Sequence, residues 1–233
     1  MIELYDRYSQ ESRDLHESLV ATGLSQLGVV IDADGFLPDG LVSPFTYYLG
    51  YEKGKPLYFN QVPVPAFWEI SGNNQSARIE DRTEERAVIH YADGMQARLV
   101  KQVDWKDLEG RVRQVDHYNR FGTCFATTTY SADSEAIMTV YQDVNGQEVL
   151  LENHVTGDIL LTLPGQPIHY FANKVEFIIF FLQDLEIDTS QLIFNTLATP
   201  FLVSFQHPDK SGSDVLVWQE PLYDAIPGNM QLI

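Results

Sequence analysis

The sequence WKDLEG at positions 105–110 recurs as YQDVNG at 141–146, and YNRFG at 118–122 is a shortened copy of the same pattern. Each copy places an aromatic residue before Asp or Asn and then a glycine. The aromatic ring can pack on a sheet face, Asp or Asn shapes a turn, and glycine accepts the left-handed backbone that tight hairpins require. We therefore predict that each copy ends one strand and begins a hairpin, so that successive copies build an antiparallel meander.

The same turn chemistry extends along the middle of the chain. After Gly94, glycines at positions 110, 122, 146, 157 and 165 separate runs rich in Val, Ile, Tyr, Phe and Thr, and 131–134 (SADS) occupies the one double-length gap. This spacing predicts strands of about eight residues joined by short turns. Within 111–118 neither alternate face is cleanly apolar. A bulge near Arg113 and Gln114 would bring Val112 and Val115 to one side, but the sequence does not force one.

The segments on either side of these strands have a different texture. Ser9 to Thr22 predicts an amphipathic helix that stops at Gly23, and Val175 to Leu185 predicts a buried helix, so that helices are confined to about 9–22 and 175–186. Residues 191–195 and 214–218 are typical of strands. The predicted fold class is α+β, with an extended antiparallel β-meander at 29–173 inserted into one α/β domain. The parts of that domain are an N-terminal helical part at 1–28 and a returning α/β part at 174–233.

Composition excludes several classes of function. Fifteen Lys plus Arg against 33 Asp plus Glu give a net charge of −18, which disfavours nucleic acid and anionic lipid as partners. The single cysteine, Cys124, cannot form an intrachain disulfide, and the first residues lack the pattern of a secretory signal. No apolar run approaches the roughly 20 residues of a membrane-spanning helix. We therefore predict a cytoplasmic protein, and the apolar C-terminal residues lead us to expect that it belongs to a longer chain.

Motifs that carry chemistry are absent from the sequence. It contains no glycine-rich phosphate loop, nucleophile elbow, His-Glu-x-x-His or Cys-x-x-Cys pattern. DADG at 32–35 is similar to part of a calcium loop but lacks the further ligands, so a plain turn is expected. Asp116 and His117 are adjacent and would point to opposite faces of a strand, and Cys124 beside Phe125 is typical of a buried, inert thiol. We predict no catalytic residue, no cofactor and no metal.

Aromatic residues crowd the stretch between 47 and 68, which we interpret as the first hairpins of the meander. Core packing accounts for most such residues, although the same composition could anchor a partner or stack on sugars. The residues that we predict to contact a partner are Tyr47, Tyr48, Tyr58, Phe59 and Trp68.

Six short strings in order give the chain a resemblance to a known family. They are DGFLP at 34–38, PLYFN at 56–60, WEI at 68–70, VDWKD at 103–107, DHYNRFG at 116–122 and IPGNMQLI at 226–233. Together they resemble the N-terminal half of the stabilising, non-catalytic subunit, of GtfB type, of the O-GlcNAc transferase of the accessory Sec system.

The resemblance implies both a fold and a function. The expected fold is a split Rossmann-like domain of a GT-B-like protein, interrupted by the meander and followed in full-length members by a second Rossmann-like domain that this chain lacks. The expected partners are a catalytic glycosyltransferase sister subunit and a serine- and threonine-rich adhesin polypeptide, which the complex glycosylates from UDP-GlcNAc before export. Peripheral association of the full complex with the inner face of the cell membrane is compatible with this role.

Two other functions remain open on the sequence alone. The chain could belong to a glycosyltransferase catalytic subunit that depends on UDP-GlcNAc and has its donor site in the absent half, because that sister subunit carries a related meander. It could also be a stand-alone carbohydrate-binding β module. UDP-GlcNAc hydrolysis by the full-length chain would favour the first alternative, and glycan binding by the isolated 233 residues would favour the second.

Overall fold

A computed structural model describes residues 1–92, 97–208 and 212–218 of the chain. The chain divides into two compact units, which we call the α/β unit and the meander unit. The α/β unit comprises 1–33, 37–45 and the described residues from 171 onward, and the meander unit comprises 34–36 and 46–170. Gly94, from which the glycine spacing is counted, and the string at 226–233 lie outside the described residues.

The α/β unit contains a parallel sheet of the Rossmann type. Its strands lie in the order β15-β14-β1-β2-β3, which is the 5-4-1-2-3 arrangement when only this sheet is counted. The central strand β1 is buried at every residue, with Glu3 opposite Gly28 of β2 and Leu4 opposite Phe194 of β14. The strands are β1 (Ile2–Tyr5), β2 (Leu27–Val30), β3 (Leu41–Val42), β14 (Leu192–Phe194) and β15 (Val215–Leu216).

The two predicted helices of this unit are confirmed, and their ends follow from local chemistry. Helix α1 (Gln10–Ala21) begins where the Ser9 side chain accepts a hydrogen bond from the Ser12 amide, and Gly23 follows it with φ of 70°. Helix α3 (Lys174–Asp184) begins where the Asn173 side chain accepts from the Glu176 amide. Its buried face presents residues that include Phe177 and Phe181, so packing holds it in place.

The structure corrects the predicted boundaries of the α/β unit. It contains two helices that the sequence analysis did not predict, α2 (Pro44–Tyr47), which ends two residues into the meander unit, and α4 (Thr199–Gln206). Both are short, and such helices depend on tertiary packing more than on a visible period. Strand β2 pairs in parallel with β1, and β3 pairs in parallel with β2, so both belong to the Rossmann-type sheet. The first boundary of the meander therefore moves from residue 28 to residue 45.

The meander unit is a sheet of ten strands, all neighbours in sequence, in the order β13 to β4. The pairings between neighbours from β4 to β12 are antiparallel, which confirms the predicted meander. Its strands are β4 (Glu69–Gly72), β5 (Ser76–Asp81), β6 (Glu84–Tyr91), β7 (Val100–Lys106), β8 (Val112–Tyr118), β9 (Cys124–Tyr130), β10 (Ala136–Gln142), β11 (Glu148–Asn153), β12 (Ile159–Leu161) and β13 (His169–Phe171).

Four consecutive hairpins use one turn design. The side chain that opens each turn accepts hydrogen bonds from the amides two and four residues later, as Asn119 Oδ1 does from Phe121 at 3.0 Å and Thr123 at 3.1 Å. The opening residues are Asp107, Asn119, Ser131 and Asp143. The residue three positions later has positive φ in all four turns, at Gly110, Gly122, Ser134 and Gly146. The repeat is thus about 12 residues long, one strand and one turn, which is the size expected of a short hairpin unit.

The two faces of the sheet differ in what covers them. One straight row of paired residues runs from Ile89 through Val103 and Asp116 to Thr127 and beyond. Over strands β5 to β8 this face is buried beneath segment 57–68, which contributes Val62 and half-buried aromatic side chains to the core. The bulge that the sequence left open is present, because Trp105 lies opposite Gln114 whereas Lys106 lies opposite Val112.

Candidate partner-binding surface

The five aromatic residues predicted to contact a partner fall into separate groups. Tyr47 and Tyr48 form an edge-to-face pair with ring centroids 5.1 Å apart, and Tyr58 and Phe59 form a tilted pair at 4.9 Å. Trp68 lies under the Arg86 guanidinium, 5.7 Å from the ring centroid. The interpretation of 47–68 as hairpins is wrong, since before β4 the segment contains a helical end, a 3-10 turn and one isolated bridge, Tyr58 opposite Leu99. Prolines within it remove the amide donors that a strand ladder needs.

Three of these residues lie around strand β4. Trp68 immediately precedes the strand, and a Cβ added to Gly72 of the strand would come within 3.1 Å of the Phe59 ring. The Arg98 guanidinium covers the Phe59 ring at 5.7 Å. Phe59 and Trp68 also pack against the buried core, while Tyr58 is 37% exposed. We call this group, Tyr58, Phe59 and Trp68, the aromatic collar of β4.

Strand β4 forms one edge of the described sheet. It pairs with β5 in a continuous register, from Glu69 opposite Glu80 to Gly72 opposite Ala77. The Asn73 amide donates to the Ser76 carbonyl at the hairpin, and hydrogen-bonded pairs alternate along an antiparallel ladder. The N–H and C=O groups of Ile70 and Gly72 therefore point away from β5. An edge of this kind is a template for a further strand.

Phe67 stands next to this edge and was missed among the predicted site residues. Its side chain is 97% exposed, and its φ of 71° lies in the left-handed region. The proline-rich run from Pro63 to Pro65 that precedes it signals an exposed, non-helical segment. The positive φ, in contrast, has no sequence signature at a phenylalanine.

The opposite edge of the sheet is strand β13. Ile168 is 63% exposed and Tyr170 is 64% exposed, so this edge also presents apolar side chains. The strand has only three residues, and its last, Phe171, packs against Phe177 and Phe180 of α3 at centroid distances of 5.4 Å and 5.1 Å. The chain leaves the sheet at this edge, which limits the length available for pairing.

The residues that the sequence analysis considered for catalysis take part in structural hydrogen bonds or are buried. Asp34 accepts from the Lys101 ammonium at 3.0 Å and from the Phe36 amide at 2.8 Å, as expected of a turn. The Asp116 carboxylate accepts from Trp105 Nε1, and His117 lies on the other face against Thr128, as predicted. Burial raises the pKa of the Cys124 thiol to about 11, so it is protonated at neutral pH. Among the described residues, no three His, Cys, Asp or Glu side chains gather as metal ligands would.

A buried polar cluster and a polar contact at the strand ends belong to the α/β unit. The Glu3 carboxylate is fully buried. It accepts a hydrogen bond from Tyr5 Oη at 2.8 Å, and it forms a second hydrogen bond with His16 Nδ1 at 2.7 Å. Burial and the Glu3 hydrogen bond raise the pKa of Tyr5. Farther along the sheet, Thr196 Oγ1 donates to Asp6 at 2.8 Å after the ends of β14 and β1. This is the topological switch point, where sheets of this type bind ligands.

These features define a class: a Rossmann-type α/β unit that is interrupted by a ten-stranded meander with an exposed edge. The described part of the α/β unit has no phosphate-binding loop. Sequence models of the GtfB N-terminal domain, middle domain and third domain match residues 2–48, 68–172 and 174–233. The chain belongs to the GtfB family.

Relatives at high identity agree with this assignment. The chain is 92% identical over 233 residues to the UDP-N-acetylglucosamine–peptide N-acetylglucosaminyltransferase stabilizing protein GtfB of Streptococcus pneumoniae serotype 4, covering 52% of it. It is 54% identical over 235 residues to the protein of the same name from Streptococcus gordonii, again covering 52%. A chain in a crystal structure of the GtfA/B complex bound to UDP and GlcNAc superposes with a TM-score of 0.94 at 54% identity, over 100% of this chain and 52% of that one.

The chain thus spans about half the length of the curated relatives that it matches. Within the part of the chain that the structure describes, no helix is long and apolar enough to cross a membrane.

Proposed function

We propose that this protein is the non-catalytic stabilising and acceptor-recognition subunit of a cytoplasmic protein O-GlcNAc transferase complex. The complex glycosylates serine-rich repeat adhesins before their export by the accessory Sec system. The name of the pneumococcal relative, at 92% identity, and the GtfA/B complex that contains a 54% identical chain support this role.

The observation that carries the proposal is the open β4 edge of the ten-stranded sheet. Its outward backbone groups at Ile70 and Gly72 need hydrogen-bond partners, and a strand of the catalytic glycosyltransferase subunit would supply them. The aromatic collar lies beside this edge and would add side-chain contacts. The catalytic subunit gains stability because binding favours its folded state by mass action.

Acceptor recognition is assigned to the α/β unit. Asp6 and Thr196 at the strand ends offer a carboxylate and a hydroxyl, and both can hydrogen-bond to the hydroxyl groups and amides of a serine- and threonine-rich polypeptide. A pyrophosphate would be repelled by Asp6 and would lack a glycine-rich turn, so a polypeptide fits this position better than a nucleotide does.

Hydrogen exchange tests the association with the catalytic subunit. We expect the amides of Ile70 and Gly72 to exchange rapidly in the full-length protein alone and to become protected in the complex, because they gain a partner strand. The Ser71 amide is the internal control, since it already pairs with β5 and should be protected in both states. Absence of a complex, or a complex that forms without new protection anywhere in the meander, would contradict the proposal.

A further inference from the structure

Phe67 combines two features that are individually costly to a folded chain. Its φ of 71° is a conformation that glycine or asparagine adopts readily and a bulky side chain rarely does. The Trp68 amide donates to the Pro65 carbonyl at 3.2 Å, so Phe67 is the third residue of a tight turn, the position where glycine is usual. Strained backbone of this kind concentrates at functional positions.

The turn directs the Phe67 ring away from the protein. Trp68, the next residue, packs on the core beneath the Arg86 guanidinium, and this fixes the turn on its inner side. Phe67 itself is 97% exposed and therefore adds almost no buried apolar area to this fold. A side chain that is both strained and unburied has its favourable contact outside the described part of this chain. Aromatic anchors of this kind dominate the energy of many protein interfaces.

We propose that Phe67 inserts into an apolar pocket of the catalytic glycosyltransferase subunit while a strand of that subunit pairs with β4. This inference rests on the proposed function and adds to it the anchoring residue and the edge that is used. The anchor and the outward groups of Ile70 lie only three residues apart along the chain, so one partner segment can engage both.

One observation disfavours a second copy of the chain as the occupant, and another disfavours the β13 edge as the site. A second copy of the chain would bring together two molecules of net charge −18, with the exposed Glu69 of each copy next to the junction. The β13 edge, where the chain passes directly into α3, lies nine strand spacings from β4, which is on the order of 43 Å along the sheet. The β4 edge is thus distant from the point where the chain itself leaves the sheet.

The decisive variant is Phe67→Gly in the full-length protein. Glycine removes the ring and relieves the backbone, so we expect the dissociation constant for the catalytic subunit to rise at least about tenfold. The melting temperature of the variant should be unchanged or raised by up to about 3 °C, because positive φ suits glycine. Titration calorimetry measures the loss of affinity, and thermal unfolding measures the melting temperature, which should not fall. A purely structural role for Phe67 would instead lower the melting temperature.

Three further variants complete the experiment. Arg82→Gly relieves the same kind of backbone, with φ of 60° in the exposed β5–β6 turn, and should leave the affinity unchanged. Phe67→Trp should retain the affinity, and Tyr170→Ala tests the β13 edge. Equal affinities of wild type and Phe67→Gly for the catalytic subunit would overturn the inference but leave the proposed function standing. The same conclusion would follow if Tyr170→Ala were the only variant that weakened binding to the subunit. Loss of self-association in Phe67→Gly with unchanged partner affinity would assign Phe67 to a second copy instead. Failure of the wild-type protein to bind the subunit would overturn the proposed function itself.

Discussion

Gly110 and Gly122 occupy the same position in two copies of one turn, yet their surroundings differ. Both have positive φ, 80° and 83°. A Cβ added at Gly110 would meet open space, whereas one at Gly122 would approach the Lys55 carbonyl oxygen to 2.2 Å. The carbonyl belongs to the backbone and cannot move aside cheaply. Glycine at 110 therefore serves the turn alone, and glycine at 122 also permits segment 49–58 to pack against the end of the sheet.

We predict that Gly122→Ala destabilises the protein far more than Gly110→Ala does. The left-handed backbone costs each variant about 1 kcal/mol, and the steric conflict adds about 2 kcal/mol or more at position 122 alone. Urea unfolding of the two variants measures the difference. Equal losses of stability would show that segment 49–58 can shift at little cost.

Individual strands of the meander could be predicted from the sequence, because each hairpin carries its own turn chemistry. Asn119 and Asp143 organise their turns through contacts within five residues, and such contacts are visible in a sequence. The parallel strands β1 to β3 could not be predicted in this way, since they are short and pair with distant segments. Phe67 escaped prediction for a similar reason, because exposure and φ are properties of the folded chain.

A chain of hydrogen bonds crosses the face of the sheet opposite Val103. It joins His117 Nε2 to Thr128 Oγ1 at 3.0 Å, Thr128 to Thr139 at 2.8 Å, and Thr139 to His154 Nε2 at 2.7 Å. Two hydroxyl protons can supply only two of the three bonds, so at least one of the two Nε2 atoms donates a proton. The tautomers of the two histidines are therefore coupled. Burial lowers the pKa of His117, against the opposing effect of Asp104 and Asp116.

We predict that the Nε2 states of the two histidines are linked in the native protein. If one Nε2 accepts, the other must donate a proton to complete the chain of three hydrogen bonds. Two-dimensional ¹H–¹⁵N spectra of the imidazole rings should therefore show a proton on at least one of the two Nε2 atoms when both rings are neutral. Thr139→Val should remove this requirement, and Thr129→Val, an exposed residue of β9, should preserve it. A native protein in which neither Nε2 carries a proton would refute the coupling.

His117 also gives the stability of the fold a pH dependence of defined sign. Its pKa is lower in the folded chain than in the unfolded chain, so the unfolded state binds more protons once the pH falls below about 6.5. The stabilising contribution of neutral His117 is therefore present above that pH and is lost as the pH falls toward the folded pKa.

At the scale of the whole molecule, binding of the catalytic subunit and recognition of the acceptor require different lengths of the chain. Pairing at β4 uses a sheet that is contained within this chain. Acceptor recognition uses the strand ends of a Rossmann-type domain, and ligands at such a position are held best when a second wall closes over them. The chain spans about half the length of its curated relatives. The two activities should therefore separate when the 233 residues are compared with the full-length protein.

We predict that the 233-residue chain binds the catalytic subunit with an affinity close to that of the full-length protein, but binds unglycosylated serine-rich peptide at least about tenfold more weakly. Parallel calorimetric titrations against the subunit and the peptide measure both affinities. A full-length protein whose residues 46–170 are replaced by a flexible linker is the complementary variant, and it should lose the subunit. Tight peptide binding by the 233 residues, combined with indifference to the subunit, would reverse the assignment of roles.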